Sequence, residues 1–288
     1  MSRVLPILTV LLAIVLIWYV AAARMNAAWS YDQAARAGEA VPSLGQIVVL
    51  SMNQERPVLP TPHQVATELV KSTLGLKVTS KKSLIYHGWI TLSATLLGFA
   101  MGTGLGMILA VGIVHNRAMD ASLMPWAIAS QTIPILAIAP MIIVVMNALG
   151  VQGLIPKAII SAFLSFFPVL VGMVKGLRAP ERGDLDLMAT YFASPMQILW
   201  KLRLPASMPY LFTSLKVAIA ASLVGAIVGE MPTGAVAGLG ARLLSGSYYG
   251  QTVQIWAALF AAAFMAAGLV ATVGWIESRT LRRMGMAR

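Results

Sequence analysis

The chain has 288 residues, 58% hydrophobic and 11% charged, with a mean hydropathy of +0.80 and a formal net charge of +11. Those proportions exclude a soluble globular domain, and the absence of cysteine excludes disulfides and thiolate metal sites. No basic block interleaves with aromatic residues, so the positive charge reads as loop charge that orients a membrane protein, and not as a nucleic-acid surface.

Residues 4–23 are apolar and uncharged between Arg3 and Arg24, a length that suits a spanning helix. Ala21, Ala22 and Ala23 would also suit a signal-peptide cleavage region, but the apolar core exceeds the usual one and favours an uncleaved span. Residues 26–83 are polar and too weakly apolar for a core of their own. Within them only Thr61-Pro62-His63-Gln64 is locally defined, with a hydroxyl N-cap, proline at the first helical position and Gln at N3. His63, His87 and His115 lie too far apart in sequence to suggest a metal site.

Residues 86–114 form the second span, where Gly98, Gly102 and Gly106 recur at i+4 and mark a face for close helix approach. No ionisable residue occurs in 121–156 or in 158–174. Pro134, Pro140 and Pro168 lie inside these runs, and each removes a backbone donor. Simple kinks and the broken helices of a transport pathway both fit.

The polar interruption 181–205 carries Glu181, Arg182, Asp184, Asp186, Lys201 and Arg203 and reads as two short helices. Ser194, Pro195 and Gln197 form a capping box, behind which Ile198, Leu199 and Leu202 share a face before Pro205 and Pro209 interrupt. Residues 207–231 are the fifth span, with Lys216 placed to snorkel and Glu230 at the far end. The last span, 251–276, precedes Arg279, Arg282, Arg283 and Arg288. About six spans result, in an all-α polytopic membrane protein. Basic residues concentrate after the second and fourth spans and in the tail, which predicts cytoplasmic termini and a cytoplasmic 181–205 loop.

The 181–205 stretch resembles the EAA loop of ATP-binding-cassette importer permeases. Asp186 stands at the Glu position, Ala193 and Ser194 match the small residues after the Gly, and Leu204-Pro205 matches the terminal LP. Leu187 and Met188 replace the two alanines, and Phe192 replaces the Gly. Leu59-Pro60-Thr61-Pro62 resembles the lead-in of the nitrate/sulfonate/taurine group, which includes thiamine-precursor and riboflavin transporters. Pro134, Ala139-Pro140, Phe167-Pro168, Gly176, Glu230 and Gly238-Leu239-Gly240 extend the resemblance to a type I importer (MetI-like) domain over 86–288. Residues 1–85 would supply an extra helix and a periplasmic segment.

The resemblance implies a pore-forming, non-enzymatic subunit of the bacterial inner membrane, with a second permease copy and a periplasmic solute-binding protein as partners. A separate ATPase would contact Asp186, Ala189, Ala193, Ser194, Ile198, Leu199, Leu202, Leu204 and Pro205. Pro134, Pro140, Pro168 and Glu230 would line or gate the pathway. No G-x-x-x-x-G-K-[ST] sequence occurs, so ATP and Mg²⁺ would sit on the partner and this chain would bind no cofactor. An ion-gradient carrier stays open, with Na⁺ held by carbonyls at Pro134 or Pro140. The lack of Cys, HExxH and GxSxG argues against an intramembrane enzyme.

Overall fold

The computed structural model describes residues 4–38, 43–232 and 237–286, and among these every regular element is a helix. They divide into two compact units, Met1–His87 with Arg242–Ala262 and Gly88–Ala241 with Ala263–Arg288. Five helices are long and apolar enough to cross a membrane, or six spans if one bent pair counts as a further one.

In the first unit, α1 (Val4–Ala37) exposes its apolar N-terminal half on all sides, a surface suited to lipid. Further along, Ala22, Asn26, Ser30 and Ala34 recur every four residues and are buried. Against this part of α1 lie α2 (Leu44–Met52) and α3 (Pro62–Leu74). Residues 26–38 and 43–83 are therefore more ordered than their composition suggests. The order comes from buried amides. Asn26 donates to the carbonyls of Ser51 (3.1 Å) and Leu59 (2.9 Å) and accepts from the Leu59 N–H (3.1 Å). Gln54 donates to the Asn26 carbonyl and to the Ser30 hydroxyl, both at 2.9 Å. These amide hydrogen bonds substitute for the apolar core that the segment lacks, although Gln54 Oε1 is buried without a partner among the described residues.

The second unit is organised by α4 (Leu84–His115), α7 (Leu154–Leu177) and α10 (Leu204–Glu230). A Cβ on Gly98 would stand 2.3 Å from the Ser161 Cβ, one on Gly102 2.8 Å from the Ala162 carbonyl oxygen, and one on Gly106 2.7 Å from that of Phe166. On the other side of α7, Gly172 and Gly176 meet Ser214 and Ser207 of α10, and Gly225 of α10 meets the Ser161 backbone. Hydroxyls close the seams. Ser161 donates to the Ser222 carbonyl (2.6 Å), and Ser222 donates to the Thr95 carbonyl (2.8 Å), which links α7 to α10 and α10 to α4.

Between α4 and α7 lie α5 (Arg117–Ser130) and α6 (Ile135–Ala148), bent by 100° across a four-residue break. Pro134 lacks an N–H and disfavours helical geometry in the residue before it, and the break between α5 and α6 falls there. The third span is thus a broken pair rather than a continuous rod.

Gly102→Ala forces backbone of α4 and α7 apart, and we expect a loss of about 1–3 kcal/mol, seen as a lower unfolding midpoint in detergent. Gly104, whose Cβ would meet nothing within 4 Å, is the control: Gly104→Ala leaves the midpoint unchanged or raises it.

Candidate functional site

The segment after α7 opens with α8 (Arg182–Thr190), which carries Asp186 and Ala189 exposed. Its C-terminus turns at Phe192, where φ is 51°, and the chain enters α9 (Pro195–Ile198). Ser194 closes the reciprocal cap: Gln197 Oε1 accepts from the Ser194 N–H at 2.8 Å, and Ser194 Oγ accepts from the Gln197 N–H at 3.3 Å.

The second half of the segment differs from the sequence expectation. The chain does not break at Pro205 or Pro209; α9 passes through one π-helical turn, Leu199–Arg203, directly into α10. Pro195–Glu230 is a single 36-residue helix. The wider turn makes room for the ring of Pro205, which in regular α geometry clashes with the carbonyl four residues back.

A second difference follows. Leu199 is only 7% exposed and belongs to the core with Leu177, Met173 and Leu211. Its side chain is therefore unavailable to a partner's groove, and Ile198 and Leu202 beside it are half-buried. The apolar side chains that do face outward are Leu187, Tyr191, Phe192, Met196 and Trp200. Ser194 is also exposed, while Ala193, Leu204 and Pro205 are half-buried.

At the opposite end of the same helix, Glu230 is fully buried. Thr91 of α4 donates its hydroxyl to the carboxylate at 2.9 and 3.0 Å. The same hydroxyl accepts the Leu239 N–H at 2.8 Å, and Glu230 Oε2 accepts the Gly240 N–H at 2.8 Å. Leu239 and Gly240 open α11 (Leu239–Tyr248), so the carboxylate and Thr91 together cap that helix. Gly238 has a φ of 129°, and a Cβ there would lie 2.2 Å from the carboxyl carbon of Glu230. Only glycine fits. Lys157, buried in α7, reaches the Ala237 carbonyl at 3.4 Å. Sequence reasoning placed Glu230 at the end of its span but could not identify Thr91, because an intramembrane threonine has no distinctive signal.

Lys216 does not snorkel. It pairs at 2.6 Å with Glu277 of α12 (Thr252–Arg283), and both side chains are largely shielded. A lysine inside one apolar stretch and a carboxylate directly after another are the signal that could have found this pair.

Alongside α7 and α10 runs a groove of about 620 Å³ lined by Phe167, Pro168, Lys175, Tyr210, Thr213 and other residues. Pro134 caps α6 and Pro140 lies within it; both are exposed and neither lines that groove. The first unit has a polar groove of about 530 Å³ whose walls include Glu55, Arg56, His63, Glu68 and Lys71. Among the described residues no cluster of His, Asp and Glu could hold a metal.

Residues 102–285 match the family model for "Binding-protein-dependent transport system inner membrane component". A "Probable ABC transporter permease protein" of Haemophilus influenzae is 30% identical over 77% of this chain and 85% of its own length. The "Riboflavin transport system permease protein RibX" of Chloroflexus aurantiacus is 31% identical over 78% of this chain and 80% of its own. The "Formylaminopyrimidine transport permease protein ThiX" of Halalkalibacterium halodurans is 31% identical over 64% of this chain and 68% of its own.

Glu230→Gln turns one of the two oxygens that accept from Thr91 and Gly240 into an amide donor, and we expect a loss of about 1–3 kcal/mol in thermal unfolding. Thr91→Ser keeps the hydroxyl and stays near wild type. Lys216→Met strands Glu277 and costs about 1–2 kcal/mol, whereas adding Glu277→Met recovers most of it; a double-mutant cycle of unfolding midpoints reads both.

Proposed function

This chain belongs to the family of binding-protein-dependent transport system inner membrane components, and on that premise we propose that a separate ATPase subunit drives its import of a small solute by docking on 181–205. The observation that carries this is the union of an exposed polar and aromatic segment with the helix Pro195–Glu230. A push on Asp186, Ala189, Ala193 or Ser194 enters at one end of that helix. Leu199 and Leu204 root it in the core, with Ile198, Leu202 and Pro205 half-buried beside them, so the push becomes a tilt of α10.

ATP and Mg²⁺ belong on the ATPase, since this chain lacks the glycine-rich loop that cradles phosphates. A second permease copy completes the pathway, to which the groove at Pro168 and the broken pair at Pro134 and Pro140 contribute. A periplasmic binding protein delivers the solute. In this reading the subunit lies in a bacterial inner membrane, and the basic residues of the loops and tail support cytoplasmic termini and a cytoplasmic 181–205. Glu230 acts at the far end of α10 as its anchor.

The solute is a small organic or anionic molecule, with planar heteroaromatics favoured. Two of the relatives are named for formylaminopyrimidine and riboflavin transport, and Phe167 and Tyr210 flank a groove that also carries Lys175 and Thr213. Aromatic faces with a few polar groups suit flat, polar-edged solutes.

The test is purification of the full chain from its host in mild detergent, followed by reconstitution. A P-loop ATPase is expected to co-purify, and solute uptake is expected to require ATP and to survive ionophores. Asp186→Lys combined with Met196→Glu should cut ATPase retention at least roughly tenfold without moving the permease's own unfolding midpoint. Uptake by this chain alone under an ion gradient would show the proposal to be wrong.

A further inference from the structure

Phe192 is the one non-glycine residue with positive φ among the described residues. Left-handed backbone is unfavourable for any residue with a Cβ, and more so for a bulky one. A glycine would make the same turn between α8 and α9 without that cost. The turn is closed by backbone alone, through the Phe192 N–H to Ala189 at 2.9 Å and the Ala193 N–H to Met188 at 3.1 Å. The ring does not repay the strain within this chain, because Phe192 is 96% exposed. Tyr191, Met196 and Trp200 stand exposed around the same turn, and Trp200 donates its ring N–H to the Met196 sulfur at 3.1 Å. An unfavourable backbone that presents an aromatic ring outward is strain placed where something else uses the ring.

We propose that Phe192 is a specificity knob: its ring enters an apolar pocket on the P-loop ATPase subunit and selects the subunit that has the pocket. This rests on the docking of an ATPase at 181–205 proposed above and adds the residue that chooses the partner. A bilayer is the other environment that takes exposed aromatics. Charge on the α8 side of the turn argues against it: Glu181, Asp184 and Asp186 outnumber Arg182 there, all four exposed, while Lys201 stands on the other side of the turn. The same three carboxylates predict a basic rim around the partner's pocket. A permease with glycine at the turn would leave such a pocket empty, and an ATPase lacking the pocket would meet the ring as a clash.

The experiment uses the full-length permease and the P-loop subunit that co-purifies with it, and measures complex Kd beside the unfolding midpoint of the isolated permease. Phe192→Gly is expected to raise the midpoint and yet weaken the complex about tenfold or more. Phe192→Tyr, which keeps the ring, stays within about threefold. The opposite signs separate a docking role from a purely structural one. Equal Kd values for wild type and Phe192→Gly overturn the knob while the docking reading stands. Because the chain has no cysteine, Phe192→Cys carries a unique thiol for a benzophenone maleimide in native membranes. Photo-labelling of the P-loop subunit supports the proposal; labelling of lipid alone overturns it. If no P-loop subunit co-purifies with any variant, the docking reading itself falls and the knob falls with it.

Discussion

Inside a bilayer two helices gain nothing from hiding leucines from each other, because lipid is already apolar. What holds α4, α7 and α10 together must come from close contact and hydrogen bonds, and the sequence supplies both through small residues. Glycines at 98, 102 and 106 admit the α7 backbone, and glycines at 172, 176 and 225 do the same along the α7–α10 seam. Ser161 and Ser222 then find carbonyls on neighbouring helices. Everything else in the second unit is placed relative to these three rods, including the loop that leaves α7 and the carboxylate that ends α10.

The continuity of Pro195–Glu230 gives that packing its functional meaning. One end carries the exposed turn at Phe192 and Ser194. The other end is fixed through Glu230 to Thr91 on α4 and to the start of α11. A rod gripped at its far end and packed along its middle can tilt or shift as a body beyond its first turns. The π turn at Leu199–Arg203 sits where the rod leaves the core, the position at which a widened turn lets direction change without breaking the backbone ladder.

Much of this was legible before any coordinates. Helical class, the apolar spans and the capping box at Ser194 follow from composition and local pattern, because hydrophobic length and N-cap chemistry act over a few residues. The extent of α10 was not legible. Pro205 and Pro209 read as interruptions, and only tertiary packing around Leu199 and the π turn shows how the helix continues through them. The placement of α2 and α3 against α1 was not legible for a different reason: it rests on Asn26 and Gln54 reaching carbonyls far along the chain, and such pairings have no periodic signature. Phe192 was visible only as a departure from a glycine pattern; its backbone angle turned that departure into a physical statement.

The Lys216–Glu277 pair bears on how the protein is made. Ribosomal synthesis proceeds from the N-terminus, so α10 reaches the membrane with its lysine well before α12 brings the carboxylate. A lone lysine at the centre of a span costs about 2.5–3.5 kcal/mol on insertion scales. The fifth span is therefore released into lipid most favourably when the last one is already beside it. The charge on the fifth span is thus matched only by a residue synthesised after it, and the two helices depend on each other for their polar balance.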